Sequence, residues 1–304
     1  MATQSTLLSL SVQKRQTRRR RFFHRLRRVL LYVFVTLVAA TFFAPFFWTI
    51  TTSFKAPSEV VVFPPQVFPK SWRWQNYVSV FEKVPFALFY RNTILVTFFA
   101  TTGTILSTTV VAYGFARKRF PGRDMLFFVL LSTMMLPGEV TLIPQFLLFK
   151  RFGWLDTLYP LIVPSYLAVN AFGIFLMRQF FLTIPTDFDE AAMLDGASSL
   201  QILFTVLLPL IRPAIITVSI LSFLAHWNDF FTPLIYLNTK EKLTLSVGLR
   251  WFQTSFSYSG ADASEPKEQL LMAASLMTAL PCVLLFFVAQ RYFVQGIVMS
   301  GLKG

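Results

Sequence analysis

A few polar side chains interrupt long apolar stretches of this chain, and their chemistry could serve a function. Glu139 and Asn170 each lie within an apolar run, while Trp227, Asn228 and Asp229 stand together near the end of another. An ionisable group in such a run is costly to bury, which makes it a functional candidate by default. An aromatic face beside several hydrogen-bonding groups suits a solute rich in hydroxyl groups. These five residues are the candidates for a substrate path.

Each candidate also has a purely structural interpretation. Glu139 could mark a helix break near a membrane interface, where it would pair with backbone or with a neighbouring helix. Asn170 could bond to another helix, and Trp227 could be an interfacial anchor. The sequence alone leaves both interpretations open.

The residue types that carry out catalysis or bind metals are sparse. His24 and His226 are the two histidines and lie far apart in the chain, and Cys282 is the one cysteine. This excludes a disulfide within the chain and gives no ligand set for zinc. The pattern GxxxxGK[ST], whose backbone amides cradle phosphates, is absent. We therefore expect no metal and no cofactor, and any ATP must be bound by another chain.

Segment 183–213 is a candidate of a different kind, because its signals are those of two short helices. Thr186 follows a proline and is a good N-cap, with Asp189 three residues later as its capping-box partner. This predicts a helix over residues 187–194. Gly196 suits the left-handed conformation that ends a helix. Ser198 and Gln201 then form a second start signal.

The two helices would present a docking surface for another protein. They offer small, apolar and acidic side chains together: Ala191 and Ala192, Phe188 and Leu194, Glu190 and Asp195. Small residues allow close backbone approach, apolar ones fill a groove, and carboxylates fix orientation through charge-assisted bonds. The alternative is an amphipathic helix lying on the membrane, but anionic headgroups would repel so acidic a segment.

The elements that must position these residues are membrane-spanning helices. Of the 304 residues, 55% are apolar and 14% are charged, whereas soluble domains carry about 25% charged residues. Long apolar runs are typical of helices that cross the hydrocarbon core. The fold class is therefore all-α, a polytopic membrane protein with six transmembrane helices, over about residues 29–52, 92–116, 125–149, 158–177, 207–235 and 270–290.

The distribution of Lys and Arg predicts the orientation. With both termini in the cytoplasm, the inner segments hold 17 of the 28 basic residues, and residues 1–28 form a basic cytoplasmic tail. The net charge of +14 could suggest nucleic acid, but a basic run directly before an apolar span is typical of topogenic signals and headgroup contacts. The first apolar run is too long for the h-region of a signal peptide, so we expect an uncleaved first span.

Segment 183–213, here called the elbow, resembles the EAA loop of ABC importer permeases. Glu190-Ala191-Ala192, Gly196, Val206 and Leu208-Pro209 match the spacing EAA-x3-G-x9-[IV]-x-LP. The chain resembles more narrowly the maltose-type carbohydrate permeases, through motifs such as Met135–Glu139 and Trp227–Asp229. The resemblance covers roughly residues 29–304, which would form a single transmembrane permease domain of the MetI-like kind.

The resemblance implies a set of partners and a mechanism. A second, homologous permease subunit would pair with this chain, and two copies of a cytoplasmic ABC ATPase would bind below. An extracytoplasmic solute-binding protein would deliver the substrate. The residues implied in ATPase coupling are Glu190, Ala191, Ala192, Asp195, Gly196, Leu208 and Pro209. The transporter would lie in the cytoplasmic membrane and work by alternating access.

A sugar or oligosaccharide is the substrate class that the resemblance favours. The runner-up is an anion such as glycerol phosphate, but no Lys or Arg lies well inside a predicted span to offset a phosphate. An ion channel should show a filter-like loop or rings of charge. A membrane-embedded enzyme needs convergent acid, base or metal groups. Neither pattern is evident in the sequence.

Overall fold

The structure is a computed structural model that describes residues 2–258 and 267–301; side chains are described for residues 25–138, 140–254 and 267–290. Within these ranges all regular structure is helical. The first part of the chain forms α1 (Ala2–Ser53), α2 (Pro57–Val60), α3 (Gln75–Lys83) and α4 (Phe86–Arg117). The next part forms α5 (Arg123–Ser132), α6 (Gly138–Arg151), α7 (Tyr159–Ile162) and α8 (Ala171–Thr183).

The remaining helices include several short ones. They are α9 (Asp187–Leu194), α10 (Ser199–Gln201), α11 (Leu208–Leu210), α12 (Arg212–Trp227), α13 (Phe231–Tyr236), α14 (Leu245–Tyr258) and α15 (Glu268–Gly301). A wider π-helical turn over Ile202–Leu207 joins α10 to α11. Short 3-10 turns occupy Thr133–Met135, Val163–Leu167 and Lys240–Lys242.

Four helical stretches in the described part of the chain are long and apolar enough to cross a membrane: Arg25–Ser53, Phe86–Arg117, Tyr159–Thr183 and Glu268–Gln290. Two bent pairs also qualify when each is taken as one span. The pairs are Arg123–Met135 with Val140–Arg151, and Ser199–Leu210 with Arg212–Trp227. The all-α fold class is confirmed, and the described part of the chain holds four to six candidate spans where the sequence predicts six.

The two bent pairs correspond to the spans predicted over 125–149 and 207–235, and a helix break at Glu139 is one of the interpretations that the sequence leaves open. The first pair bends by 101° and the second by 83°. Pro137 forces Leu136 into an extended conformation (ψ 121°), because a residue before proline avoids the helical region. Pro209 lacks an N–H group and its ring crowds the preceding turn. The chain leaves helical geometry at Ile211 (φ −93°, ψ 14°), so the helix that follows the second bend begins at Arg212, and residues 199–210 belong to the elbow.

Helix α4 lies at the centre of the fold, packed against both α8 and α12. One apolar core surrounds its Phe86 end and includes Phe89, Trp227 and Tyr236. A second core surrounds its Arg117 end and includes Ala112, Tyr113, Phe181 and Leu203. Between the two cores the packing is close: a Cβ atom added to Gly103 would meet the Tyr166 ring at 2.5 Å. Residues of helix α4 thus belong to both cores.

Candidate functional site: a helical elbow and a polar pocket

The elbow, residues 183–213, has the predicted helix–glycine–helix form. Helix α9 runs from Asp187 to Leu194, as expected, and Gly196 has a φ of 83°. The Ala197 N–H donates to the Ala192 carbonyl at 3.0 Å, and the Gly196 N–H donates to the Met193 carbonyl at 3.0 Å. This pair of bonds is the Schellman ending of a helix, which requires a left-handed residue at the position of Gly196.

The second start signal is also confirmed. The Ser198 N–H donates to Oε1 of Gln201 at 2.7 Å, and the Gln201 N–H donates to Oγ of Ser198 at 3.4 Å. The two side chains thus satisfy the backbone donors that would otherwise be orphaned at a helix start. The turn between the two helices is fixed on both sides by local hydrogen bonds.

The predicted capping box at the start of α9 is wrong. Thr186 has a helical conformation and makes no side-chain cap. Asp189 is buried, and its Oδ2 lies 3.2 Å from Nε of Arg117 at the end of α4. Arg117 also donates from a terminal nitrogen to the carbonyl oxygen of Ile184 at 2.8 Å. Leaving a buried carboxylate without a cation costs more free energy than leaving a helix start without a side-chain cap. Asp189 therefore pairs with Arg117 and does not serve as a capping residue.

The elbow has two distinct faces. Its inner face packs into the core around the Arg117 end of α4 through Ala192, Ala197, Ile202, Leu203 and Leu207. Its outer face carries exposed side chains, both polar and apolar: Phe188, Glu190, Ala191, Met193, Leu194, Asp195 and Leu200. Leu194 is 90% exposed. Phe188, Met193 and Leu200 are exposed as well, and a group of exposed apolar side chains is typical of a contact surface for a partner.

The last coupling candidates lie where the elbow turns back into the helical bundle. Leu208 is half-buried and packs against the core at the Arg117 end of α4, while Pro209 is exposed. The π-helical turn Ile202–Leu207 directly precedes them. Such turns accommodate a locally disturbed hydrogen-bond ladder and are frequent at functional sites. Leu208 and Pro209 thus adjoin the 83° bend between the elbow and α12.

A pocket with several polar side chains, here called the polar pocket, lies beside the middle of α4, the start of α8 and the last turns of α12. Its volume is about 410 Å³, and Asn170 lines it together with Thr104, Ser165, Ser222 and His226. The apolar lining comes from Val169, Phe172, Leu221 and Ala225. Such a mixture of apolar walls with a few convergent hydrogen-bonding groups is typical of small-molecule sites.

The pocket lies beside a broken helix. After the turn Val163–Leu167, Ala168 adopts a left-handed conformation with φ 56°, and α8 restarts at Ala171. Asn170 caps the restart, because its Oδ1 accepts a bond from the Gly173 N–H at 2.8 Å. Non-helical backbone at membrane depth is tolerated where it is enclosed by protein or lines a cavity. Asn170 therefore has both a structural role and a position on the pocket wall.

Ser222 and His226 were missed as pocket residues by the sequence analysis. They stand four residues apart on α12, with Ala225 on the same pocket wall. Residues at this spacing share one face of a helix. That spacing was the available signal, but His226 was weighed as a metal ligand and not as a hydrogen-bonding group.

The structure separates the other path candidates. Trp227 is 3% exposed, its Nε1 donates to the Thr278 carbonyl at 3.0 Å, and its ring stacks on Phe223. The indole is therefore enclosed in the core. Asn228 is exposed and donates to the Leu224 carbonyl at 2.9 Å, while Asp229 accepts from the Thr232 N–H at the start of α13. The side chain of Glu139 lies outside the described residues.

At the Phe86 end of α4, Asp156 fastens two loops together. Its carboxylate accepts bonds from the backbone N–H groups of Asn238 and Thr239, both at 2.9 Å, and from Nζ of Lys242 at 2.8 Å. Burial alone would raise the pKa of this carboxyl, but the bonds from Lys242, Thr239 and Asn238 together lower it well below its usual range. Residues 238–244, here called the clamp loop, are thus held to the loop after α6.

A bundle of apolar helices that carries an exposed helical elbow at one end is the architecture expected of the membrane component of a transporter. Residues 103–299 match the family described as the binding-protein-dependent transport system inner membrane component. The chain belongs to this family, whose members are the permeases of ABC importers and function with a binding protein and an ATPase. It is therefore a transport component of the inner membrane with several membrane-spanning helices.

Individual relatives are similar over nearly their full length. The polygalacturonan/rhamnogalacturonan transport system permease protein YtcP of Bacillus subtilis (strain 168) is 31% identical over 92% of this chain and 99% of its own. The trehalose/maltose transport system permease protein MalG of Thermococcus litoralis is 31% identical over 92% and 98%. A chain from the crystal structure of a bacterial ABC transporter for import of the acidic polysaccharide alginate superposes with a TM-score of 0.80, at 28% identity, covering 88% of this chain and 97% of that one.

Proposed function

We propose that this chain is the membrane-spanning subunit of an ATP-driven importer that takes up a sugar or oligosaccharide by alternating access. The observation that carries the proposal is the elbow, which is anchored to the bundle on one face and presents exposed apolar and acidic side chains on the other. The relatives YtcP and MalG, and the alginate transporter, are all named for saccharide transport. Their substrates range from neutral to acidic, so the proposal stops at the class.

The elbow would couple the permease to the ATPase. Leu194 and Phe188 would enter a groove on the ATPase, with Glu190 and Asp195 orienting the contact through charge-assisted bonds. Gly196 would set the angle between the two helices. Two ATPase copies and a second, homologous permease subunit complete the assembly that we propose.

The polar pocket would form part of the substrate path. Hydroxyl, amide and imidazole groups can donate to and accept from the hydroxyl groups of a sugar, and transporter sites commonly lie near the bilayer midplane beside broken helices. The residues that line the pocket include no Lys, Arg, Asp or Glu. This lining favours a neutral sugar unit over a phosphate ester at this place. Glu139 remains a candidate for the same path.

We also propose that the elbow and both termini face the cytoplasm, as the Lys and Arg distribution indicates. The test uses single cysteines in a Cys282→Ser background, labelled with a reagent that cannot cross the membrane. In intact spheroplasts Ser71→Cys should react and Gly122→Cys should not, because α4 separates the two loops. The opposite pattern would contradict the orientation.

The direct test of the function is copurification of the ATPase with the permease, combined with binding-protein-dependent sugar uptake in vesicles. Replacement of Glu190 by Lys reverses a charge on the exposed face of the elbow. We expect it to release the ATPase and abolish uptake while the permease still accumulates in the membrane. Full ATPase binding with normal uptake would contradict the proposed function.

A further inference from the structure

We propose that α4 is a coupling rod: it transmits movement of the elbow to the clamp loop at the opposite end of the bundle, and Arg117 and Thr93 are the positioning residues at its two joints. The inference rests on the proposed function of the elbow, but it adds a third moving helix to α8 and α12, which flank the elbow in sequence. It also assigns a route by which the ATPase and the far side of the membrane would communicate.

The first joint connects α4 to the elbow. The Arg117–Asp189 pair is almost fully buried, with 6% and 10% of the two side chains exposed. Arg117 also holds the segment before α9 through the Ile184 carbonyl. The next residue, Lys118, donates to Oγ of Ser199 in α10 at 2.6 Å. Arg117 and Lys118, which are adjacent at the end of α4, thus contact α9 and α10, the two helices of the elbow.

The second joint connects α4 to the clamp loop. Nδ2 of Asn92 donates to the carbonyl oxygens of Glu241 and Leu243, at 2.9 and 3.1 Å. Oγ1 of Thr93 accepts a bond at 2.8 Å from the N–H of Leu245, the first residue of α14, which directly follows the clamp loop. Both side chains are buried. These bonds hold backbone groups, so displacement of α4 would displace the loop itself and not merely its side chains.

The helix between the joints is suited to carry movement over a long distance. It is continuous from Phe86 to Arg117 and contains no proline. The 26 residues from Asn92 to Arg117 span about 38 Å, since each of the 25 steps between them rises about 1.5 Å, and this is more than the thickness of the hydrocarbon core. Asp156 ties the clamp loop to a further loop, so one rod would move two loops.

The test reads the clamp loop while the ATPase is manipulated. The complete complex carries Glu241→Cys as a labelling reporter in a Cys282→Ser background, because the side chain of Glu241 is exposed. We expect the labelling rate at position 241 to change when the ATPase is trapped with a non-hydrolysable ATP analogue. Asp189→Asn and Thr93→Val each remove one contact of a joint, and each should reduce this change at least threefold.

Two matched controls should keep the full change. Asp124→Asn neutralises an exposed acid paired with Arg123, and Thr102→Val removes a hydroxyl that bonds within α4. Labelling that is insensitive to trapping in the parent complex would overturn the proposal, as would a full change in both Asp189→Asn and Thr93→Val. Absence of the ATPase from the purified parent complex would instead refute the proposed function. If Asp189→Asn released the ATPase, Thr93→Val, far from the elbow, would decide the question alone.

Discussion

Nζ of Lys242 donates a hydrogen bond to Oδ2 of Asp156 at 2.8 Å and a second to the Asp156 carbonyl oxygen at 2.7 Å. Asp156 is held in a left-handed conformation with φ 58°, which is uncommon for a residue other than glycine. The side chain and the backbone carbonyl of Asp156 therefore hold one side of the clamp loop, while Asn92 holds the other through the Glu241 and Leu243 carbonyls.

Asp156→Asn should loosen the clamp loop. An amide cannot pair with the ammonium group of Lys242 as a carboxylate does, so we expect trypsin to cleave after Lys240 or Lys242 severalfold faster in the variant. Glu82→Gln changes an exposed acid on α3, away from both scissile bonds, and should leave the cleavage rate unchanged. Equal cleavage of Asp156→Asn and the parent protein would show that the network does not order the loop.

The pH dependence of this clamp follows from the sign of the pKa shift. The pKa of Asp156 is lower in the folded state than its ordinary value of about 3.9. Its contribution is therefore fully present above that value and is lost as the pH falls through the lower folded pKa. Between pH 8 and 6 the cleavage of the clamp loop should follow the pH profile of trypsin on an unstructured peptide. A steeper change would contradict the assignment.

Gly196 and Gly114 form a matched pair for testing backbone conformation. An added Cβ atom meets no atom within 4 Å at either position, but Gly196 has φ 83° and Gly114 is helical. Gly196→Ala should destabilise the elbow by about 1–2 kcal/mol, the cost of left-handed backbone for an L-residue. Gly114→Ala should stabilise by about 0.5–1 kcal/mol. Thermal unfolding of the detergent-solubilised protein would measure both, and a neutral Gly196→Ala would contradict the conformation.

Trp227→Phe should lower stability without altering the affinity of transport. The change removes the bond to the Thr278 carbonyl and part of the stacking on Phe223, at a cost of about 1–3 kcal/mol from a lost hydrogen bond and incomplete packing. We expect a lower unfolding temperature and an unchanged substrate concentration at half-maximal uptake. A change in that substrate concentration without a change in unfolding temperature would support Trp227 as a residue of the substrate path.

His226→Phe should weaken the affinity of transport without lowering the stability of the protein. The ring size is largely kept, but the imidazole hydrogen bonds available in the polar pocket are lost. A lost bond of about 1.4 kcal/mol would raise the substrate concentration at half-maximal uptake about tenfold. Thr217→Val, on the same helix, removes a hydroxyl that bonds to the Pro213 carbonyl and should have no such effect. Unchanged uptake kinetics in His226→Phe would remove the pocket from the path.

The elbow could be predicted in detail because its determinants are local. Gly196 is followed by a start signal at Ser198, and such signals operate within a single turn of chain. Asp189 was misassigned because its partner Arg117 lies on a helix distant in sequence. A capping interpretation uses neighbouring residues alone, and so the buried ion pair was invisible to it.

The roles of the interior residues were harder to predict, because they also depend on neighbours that are distant in sequence. Trp227, Asn228 and Asp229 form one polar group in the sequence, but the structure places the indole in the core and uses the other two at helix ends. The apolar runs predicted the number of spans but not the bends of 101° and 83°. Apolar composition reports burial in lipid, whereas a bend depends on which neighbours satisfy the freed backbone groups.

The measurement that tests the central claim most directly is the amount of ATPase that copurifies with Leu194→Ser. Leu194 is 90% exposed, so the substitution should leave the fold intact. Loss of a buried leucine contact of about 1.5–3 kcal/mol should weaken ATPase binding at least tenfold. Val78→Ser, an exposed apolar position on α3 at the other end of the bundle, should retain the parental amount of ATPase. Parental ATPase binding by both Leu194→Ser and Glu190→Lys would contradict the assignment of the elbow as the docking element.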